Sequence, residues 1–138
     1  VYEMQLNGGA PIIAHPERYT YVQENPDWLL PFIKKGCLVQ MNLSSLFNPG
    51  VQELSRSLLN KGLVHLIGTD AHQSEWRSPQ VKEQLEELNE LIGLENFEVL
   101  TSINPRKVID DEMISSTIKY VSQEKVEPKK KKWYKFWE

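Results

Sequence analysis

Apolar residues fall into short unbroken runs in this chain, separated by longer stretches in which they recur at helical spacing. The runs are Pro11-Ile12-Ile13-Ala14, Cys37-Leu38-Val39-Gln40-Met41-Asn42 and Leu63-Val64-His65-Leu66-Ile67-Gly68. Each has the length of a strand, and its apolar positions are consecutive rather than alternating. That is the pattern of strands buried on both faces, as in a parallel sheet covered by helices.

The intervening segments predict helices with readable ends. Val1 to Asn7 reads as the end of a helix closed by Gly8-Gly9. Asn25-Pro26 starts a second, with asparagine as cap and proline at the first helical position. Its apolar face is expected to carry Trp28, Leu29, Phe32 and Ile33, with Pro31 near its start and a left-handed cap at Gly36. A third helix, from about Val51 to Lys61, is expected to bury Val51, Leu54, Leu58 and Leu59, ending at Gly62. Ser78-Pro79 caps a long helix to about Ile92, with Val81, Leu85, Leu88, Leu91 and Ile92 inward. Asn104-Pro105 starts a short helix with Val108 and Ile109 inward. Gly36 and Gly62 are 26 residues apart, the length of one compact βα unit. The predicted fold class is therefore α/β with parallel strands. Three strands cannot close a barrel and leave two open edges. Further strands upstream, or pairing with another chain, are the two remedies, and a start inside a helix favours the first.

Composition narrows the class without deciding the chemistry. The 138 residues, 40% hydrophobic and 25% charged, suit one soluble globular domain. No apolar stretch approaches a bilayer span, and the first residues do not form a signal peptide. The single cysteine, Cys37, suits a reducing cytosol and reads as a small buried hydrophobe rather than a nucleophile. Charge is unevenly spread. Residues 125–138 hold six lysines against Glu127 and Glu138, a net of +4, so with the whole chain at −3 the preceding residues carry −7. An acidic body argues against nucleic acid as partner.

Candidate chemistry clusters just after two of the strands. His15-Pro16-Glu17-Arg18-Tyr19 follows the first run and Thr69-Asp70-Ala71-His72 the third. Residues at the C-terminal ends of parallel strands are where α/β barrels build active sites. Neutral imidazole is the commonest protein metal ligand, and hard oxygen with imidazole suits Mn²⁺, Fe²⁺ or Zn²⁺. His15, Asp70 and His72 are therefore candidate ligands; the plain alternative is two loop histidines and a turn cap. Arg18 and Arg77, a few residues after these positions, suit a phosphoryl group; the alternative is a structural ion pair such as Arg18 with Glu17. Gln40 and Asn42 share one face of their strand and either orient a ligand or form an interior hydrogen bond. His65, among aliphatics, reads as a core histidine. No Gly-rich phosphate loop, Gly-x-Ser-x-Gly or Cys-x5-Arg motif is present.

On Pro11-Ile-Ile-Ala-His-Pro-Glu-Arg-Tyr19, Gly36-Cys-Leu-Val-Gln-Met-Asn42, Leu63-Val-His-Leu-Ile-Gly-Thr-Asp-Ala-His72 and Asn104-Pro-Arg106, the chain resembles the C-terminal half of the polymerase-and-histidinol-phosphatase (PHP) superfamily. Within it, the chain is similar to the manganese-dependent tyrosine-protein phosphatases of bacterial capsular and exopolysaccharide operons. The resemblance covers about residues 1–110. It implies the C-terminal part of a distorted (β/α)7 TIM-like barrel, with residues 1–118 as the phosphatase portion and 119–138 as a basic, aromatic tail. It further implies His15, Asp70 and His72 as metal ligands, Mn²⁺ (or Fe²⁺ or Zn²⁺) as cofactor, and Arg18 and Arg77 as phosphate-binding residues. Asp70, Arg18 and Arg77 would be catalytic, with Gln40 and Asn42 beside the substrate. The implied reaction is direct hydrolysis of phosphotyrosine by a metal-activated hydroxide, the substrate being the tail of a membrane-associated tyrosine kinase.

The family's His-x-His pair and intervening ligands have no counterpart here. The 138 residues alone are therefore expected to be an inactive or very weakly active fragment, an expectation that full metal loading and turnover by them would refute. Two other readings stand beside this one: a superfamily phosphoesterase acting on a small phosphomonoester, or a non-catalytic scaffold binding kinase or membrane. The expected location is cytoplasmic, at the inner face of the membrane if Lys129 to Trp137 gives weak surface contact. Equal liposome partitioning without residues 125–138 would end that last expectation. Self-association into a homo-oligomer is a further open possibility.

Overall fold

A computed structural model of the chain describes residues 1–71 and 81–114. Three short parallel strands form its centre: β1 (Ile12–Ala14), β2 (Leu38–Asn42) and β3 (Leu66–Gly68), in the order β1-β2-β3. In register, Ala14 faces Gln40 and Gln40 faces Leu66, while Asn42 lies beside Gly68. The first helix, α1 (Tyr2–Leu6), precedes β1. Between β1 and β2 lie α2 (Thr20–Glu24) and α3 (Leu30–Lys34), and α4 (Gln52–Asn60) connects β2 to β3. After β3 come α5 (Lys82–Ile92), α6 (Leu94–Glu98) and α7 (Asn104–Ile109). Thus the α/β character and the parallel sheet both emerge as the apolar runs predict. No helix among the described residues is long and apolar enough to cross a membrane.

Glycine punctuation sets the helix-to-strand joints. Gly36 and Gly62 adopt φ of 88° and 67°, the left-handed conformation that ends a helix at little cost only for glycine. One sheet face carries Ile13, Val39, Met41 and Ile67 into a core shared with Val22, Leu29, Leu46, Leu58, Leu59, Leu88, Ile92 and Leu100. The opposite face presents Ile12, Ala14, Gln40, Asn42 and Gly68. Ile12 is 41% exposed there, so this second face is only partly covered among the described residues.

The third strand starts at Leu66 rather than Leu63, and three expectations about the helices change. After Asn25 the chain first makes a 3-10 turn, Pro26–Leu29, and only then α3; the Asn25 side chain accepts from the Asp27 N–H at 3.1 Å. Three residues per turn rotate Trp28 off the face of Leu29. Trp28 is 38% exposed and stacks between Tyr21 and Phe32, at 4.8 and 4.7 Å between ring centroids. Secondly, Asn104-Pro105 does not open a new helix. Leu94 to Ile109 is one helical run with a π-helical stretch at Val99–Ile103. Pro105 lacks the N–H for an α-helical bond and its ring crowds the carbonyl four residues back; the wider π turn just before it absorbs both. Thirdly, Val108 and Ile109 are 38% and 76% exposed, because the buried stripe of that run ends at Asn104. The Ser78-Pro79 cap, His72, Arg77 and the tail from residue 119 lie outside the described residues.

Candidate functional site

The C-terminal ends of the three strands carry the polar residues that the apolar runs exclude. His15 directly follows β1 and its N–H donates to the Gln40 carbonyl at 2.7 Å, so the loop stays tied to β2 for one residue beyond the strand. Pro16–Arg18 is a 3-10 turn with His15 as its left-handed cap, φ 39°. Asp70, two residues beyond β3, has φ 52°. His15, Asp70 and Asp111 are the non-glycine residues with positive φ among those described. Asp111 follows the end of α7, where a left-handed residue is ordinary; the other two stand at strand ends. Such strain concentrates at functional sites.

These residues converge. The Arg18 Nη2 donates to Asp70 Oδ2 at 3.2 Å. Asn42 Nδ2 donates to the same oxygen, also at 3.2 Å. Gln40 Nε2 in turn donates to Asn42 Oδ1 at 3.2 Å, so Gln40 and Asn42 share a sheet face as expected. Gln40 has room because its neighbour is Gly68: a Cβ there would fall 2.7 Å from Gln40 Nε2. Arg18 and Asp70 side chains are 43% and 33% exposed, so the pair lies at the surface of the cluster. His15 Nδ1 is buried without a hydrogen-bond partner among the described residues.

The structure therefore brings Arg18, Gln40, Asn42 and Asp70 into one hydrogen-bonded cluster, with His15 in the turn that bears Arg18. His72 and Arg77 lie outside the described residues, and among those described no group of three or more His, Cys, Asp or Glu is placed to hold an ion. Glu17 is the residue whose place the sequence did not reveal. It is fully buried, and its Oε1 accepts from Ser45 Oγ at 2.7 Å and the Asn42 N–H at 3.3 Å. Arg18 pairs across the sheet with Asp70 rather than with Glu17. Nothing in the residue pattern marks Glu17 for burial, since a carboxylate between proline and arginine reads as a turn on the surface.

The remaining histidine and the cysteine behave as core groups. His65 is 5% exposed, and its Nδ1 accepts from the Val39 N–H at 3.1 Å. Burial lowers its pKa from the ordinary 6.5, which keeps the ring neutral and that lone pair available. Asn104 Nδ2 donates to the His65 carbonyl at 2.8 Å, tying the strand run to the long C-terminal helix. Cys37 is 1% exposed, and burial pushes its thiol pKa up, away from nucleophilic chemistry.

Residues 1–110 match the family described as capsular polysaccharide synthesis, CpsB/CapC. The tyrosine-protein phosphatase YwqE of Bacillus subtilis (strain 168) is 34% identical over 103 residues, covering 72% of this chain and 41% of that protein. The tyrosine-protein phosphatase CpsB of Streptococcus pneumoniae is 29% identical over 115 residues, 78% of this chain and 47% of its own. Among solved structures, one of YwqE and CpsB described as unique metal-dependent tyrosine phosphatases superposes with a TM-score of 0.76 at 30% identity, covering 88% of this chain and 50% of the other. The chain thus spans about half the length of these relatives.

Proposed function

This chain belongs to the CpsB/CapC family of capsular polysaccharide synthesis, and on that footing we propose that it forms part of a metal-dependent protein-tyrosine phosphatase. The three parallel strands are then a segment of a (β/α)7 barrel whose C-terminal strand ends bear the active site. The substrate is phosphotyrosine on a tyrosine kinase that controls polysaccharide synthesis. Mn²⁺ is the proposed metal.

The observation that carries this reading is the convergence of Arg18 and Asn42 on one oxygen of Asp70, with Arg18 borne by a turn whose histidine has a buried Nδ1 with no partner among the described residues. A buried nitrogen without a partner among the described residues needs an explanation, and a cation is one that suits an imidazole. His15, Asp70 and His72 would hold the metal. When bound, it would polarise a phosphoryl oxygen and lower the pKa of a water molecule.

The chain's own groups do the rest. Asn42 fixes the orientation of the Asp70 carboxylate, and Gln40 fixes Asn42. Arg18 is held to Asp70 through one nitrogen of a guanidinium with five N–H donors. The others can face a phosphate and stabilise the charge that develops on its oxygens. Arg77 would complete the clamp. Nothing in this scheme uses a cysteine, which agrees with the burial of Cys37.

The test is hydrolysis by the whole protein with Mn²⁺, comparing a phosphotyrosine peptide with small phosphomonoesters. The peptide is expected to be preferred, and Asp70→Asn to lose at least about 100-fold in kcat/KM. Preference for small phosphomonoesters would move the protein to another phosphoesterase class. Purification without transition metal and no turnover would leave only a binding role.

A further inference from the structure

We propose that Glu17 is a positioning residue of this site: its buried carboxylate pins the turn carrying His15 and Arg18 to the end of β2. The inference rests on the phosphatase reading for its kinetic consequence, though not for the anchoring itself. Burying a carboxyl group is costly, and here Oε2 has no partner among the described residues while Oε1 has two. A carboxyl kept for stability alone would be better replaced by a well-packed apolar side chain.

What the placement supplies is closure. The Asn42 backbone N–H donates to Glu17, and the Asn42 side chain donates to Asp70. Asp70 also accepts from Arg18, the residue bonded to Glu17 in the chain. Glu17, Asn42, Asp70 and Arg18 therefore form a ring that joins the ends of all three strands. A second tie, Gln23 Nε2 to the Glu17 carbonyl at 2.9 Å, secures the turn from α2. Without the Glu17 carboxylate, Arg18 would keep its partner Asp70 but lose the fixed backbone from which it reaches. An error of about 1 Å in such a group is enough to cost about 100-fold in rate.

The test compares the whole protein with Glu17→Ala, Glu17→Gln and Ser45→Ala, loaded with Mn²⁺. Amide exchange of the segment 15–19 is followed together with KM, kcat and competitive inhibition by inorganic phosphate. Glu17→Ala should exchange at least about tenfold faster in that segment and raise both KM and the phosphate inhibition constant about tenfold. Glu17→Gln, whose amide oxygen can accept the same two bonds, should stay within about threefold of wild type. Where Glu17→Ala does not fold, Ser45→Ala decides, with an expected change of about threefold in the same direction. Unchanged exchange and phosphate inhibition in a folded Glu17→Ala or in Ser45→Ala, or a Glu17→Gln as impaired as Glu17→Ala, overturns the proposal. A wild-type protein that neither turns over nor binds phosphate would overturn the phosphatase reading instead, and the exchange of segment 15–19 would still decide the anchoring.

Discussion

On the proposed reading, Arg18 and Asp70 would serve the chemistry through a contact that contributes little to stability. Both side chains are about a third or more exposed, so their ion pair is worth about 0–1 kcal/mol. Arg18→Lys is accordingly expected to leave the melting temperature of the whole protein within about 2 °C, by calorimetry. It should nevertheless lower kcat/KM for a phosphotyrosine peptide by at least about tenfold, because an ammonium cannot hold Asp70 and a phosphate in one planar fork. His65 makes the opposite case. Its folded pKa lies below 6.5, so the unfolded chain binds the proton more readily than the folded one. Stability from this residue is fully present above pH 6.5 and is lost as pH falls below it. Denaturant titrations from pH 7.5 to 5 should show this loss in wild type and a flatter profile in His65→Gln. An equally steep profile in both would place the titration elsewhere.

Among the elements, the strands and glycine-capped helices were legible because their signals are local. A run such as Leu63 to Gly68 signals a strand by its consecutive apolar residues, though the strand itself spans only Leu66–Gly68, and Gly36 and Gly62 relieve the left-handed joints that feed the strands. Leu58 and Leu59, read as inward from helical spacing, are 0% and 1% exposed. Leu58→Ala is expected to cost about 2–5 kcal/mol in urea unfolding, with the spread set by how far the core can collapse around the void. The continuous helix from Leu94 to Ile109 was not legible. Asn-Pro is an N-terminal signal in isolation, and only tertiary packing, with Asn104 bonded to His65, shows that it sits inside a helix. The cluster at the strand ends was legible by position and not by connection. His15, Arg18, Gln40, Asn42 and Asp70 could be singled out from their strand ends. The partners Glu17 and Ser45 could not, because the bond between them spans 28 residues and follows from the sheet register.

At the level of the whole molecule, the cluster rests on strand ends brought together by a sheet that has three strands among the described residues. One face of that sheet is packed, while Ile12 on the other is 41% exposed. A ligand bridging the strand ends would therefore act as a brace as well as a reagent. Chelation of the whole protein should abolish phosphatase turnover and lower its melting temperature, and Mn²⁺ should restore both, since a ligand bound only by the folded state stabilises it. Loss of turnover with no thermal shift would confine the metal to chemistry.

The positive φ of His15 and Asp70 restricts what evolution or an engineer can install at those two codons. Asparagine, aspartate, histidine and glycine tolerate that backbone, whereas β-branched or bulky residues do not. The same short alphabet contains histidine and aspartate, two residue types that ligate cations well. Saturation libraries at these positions would thus return few survivors, and a retrofit toward a greasy pocket would demand new loops before it could use new side chains.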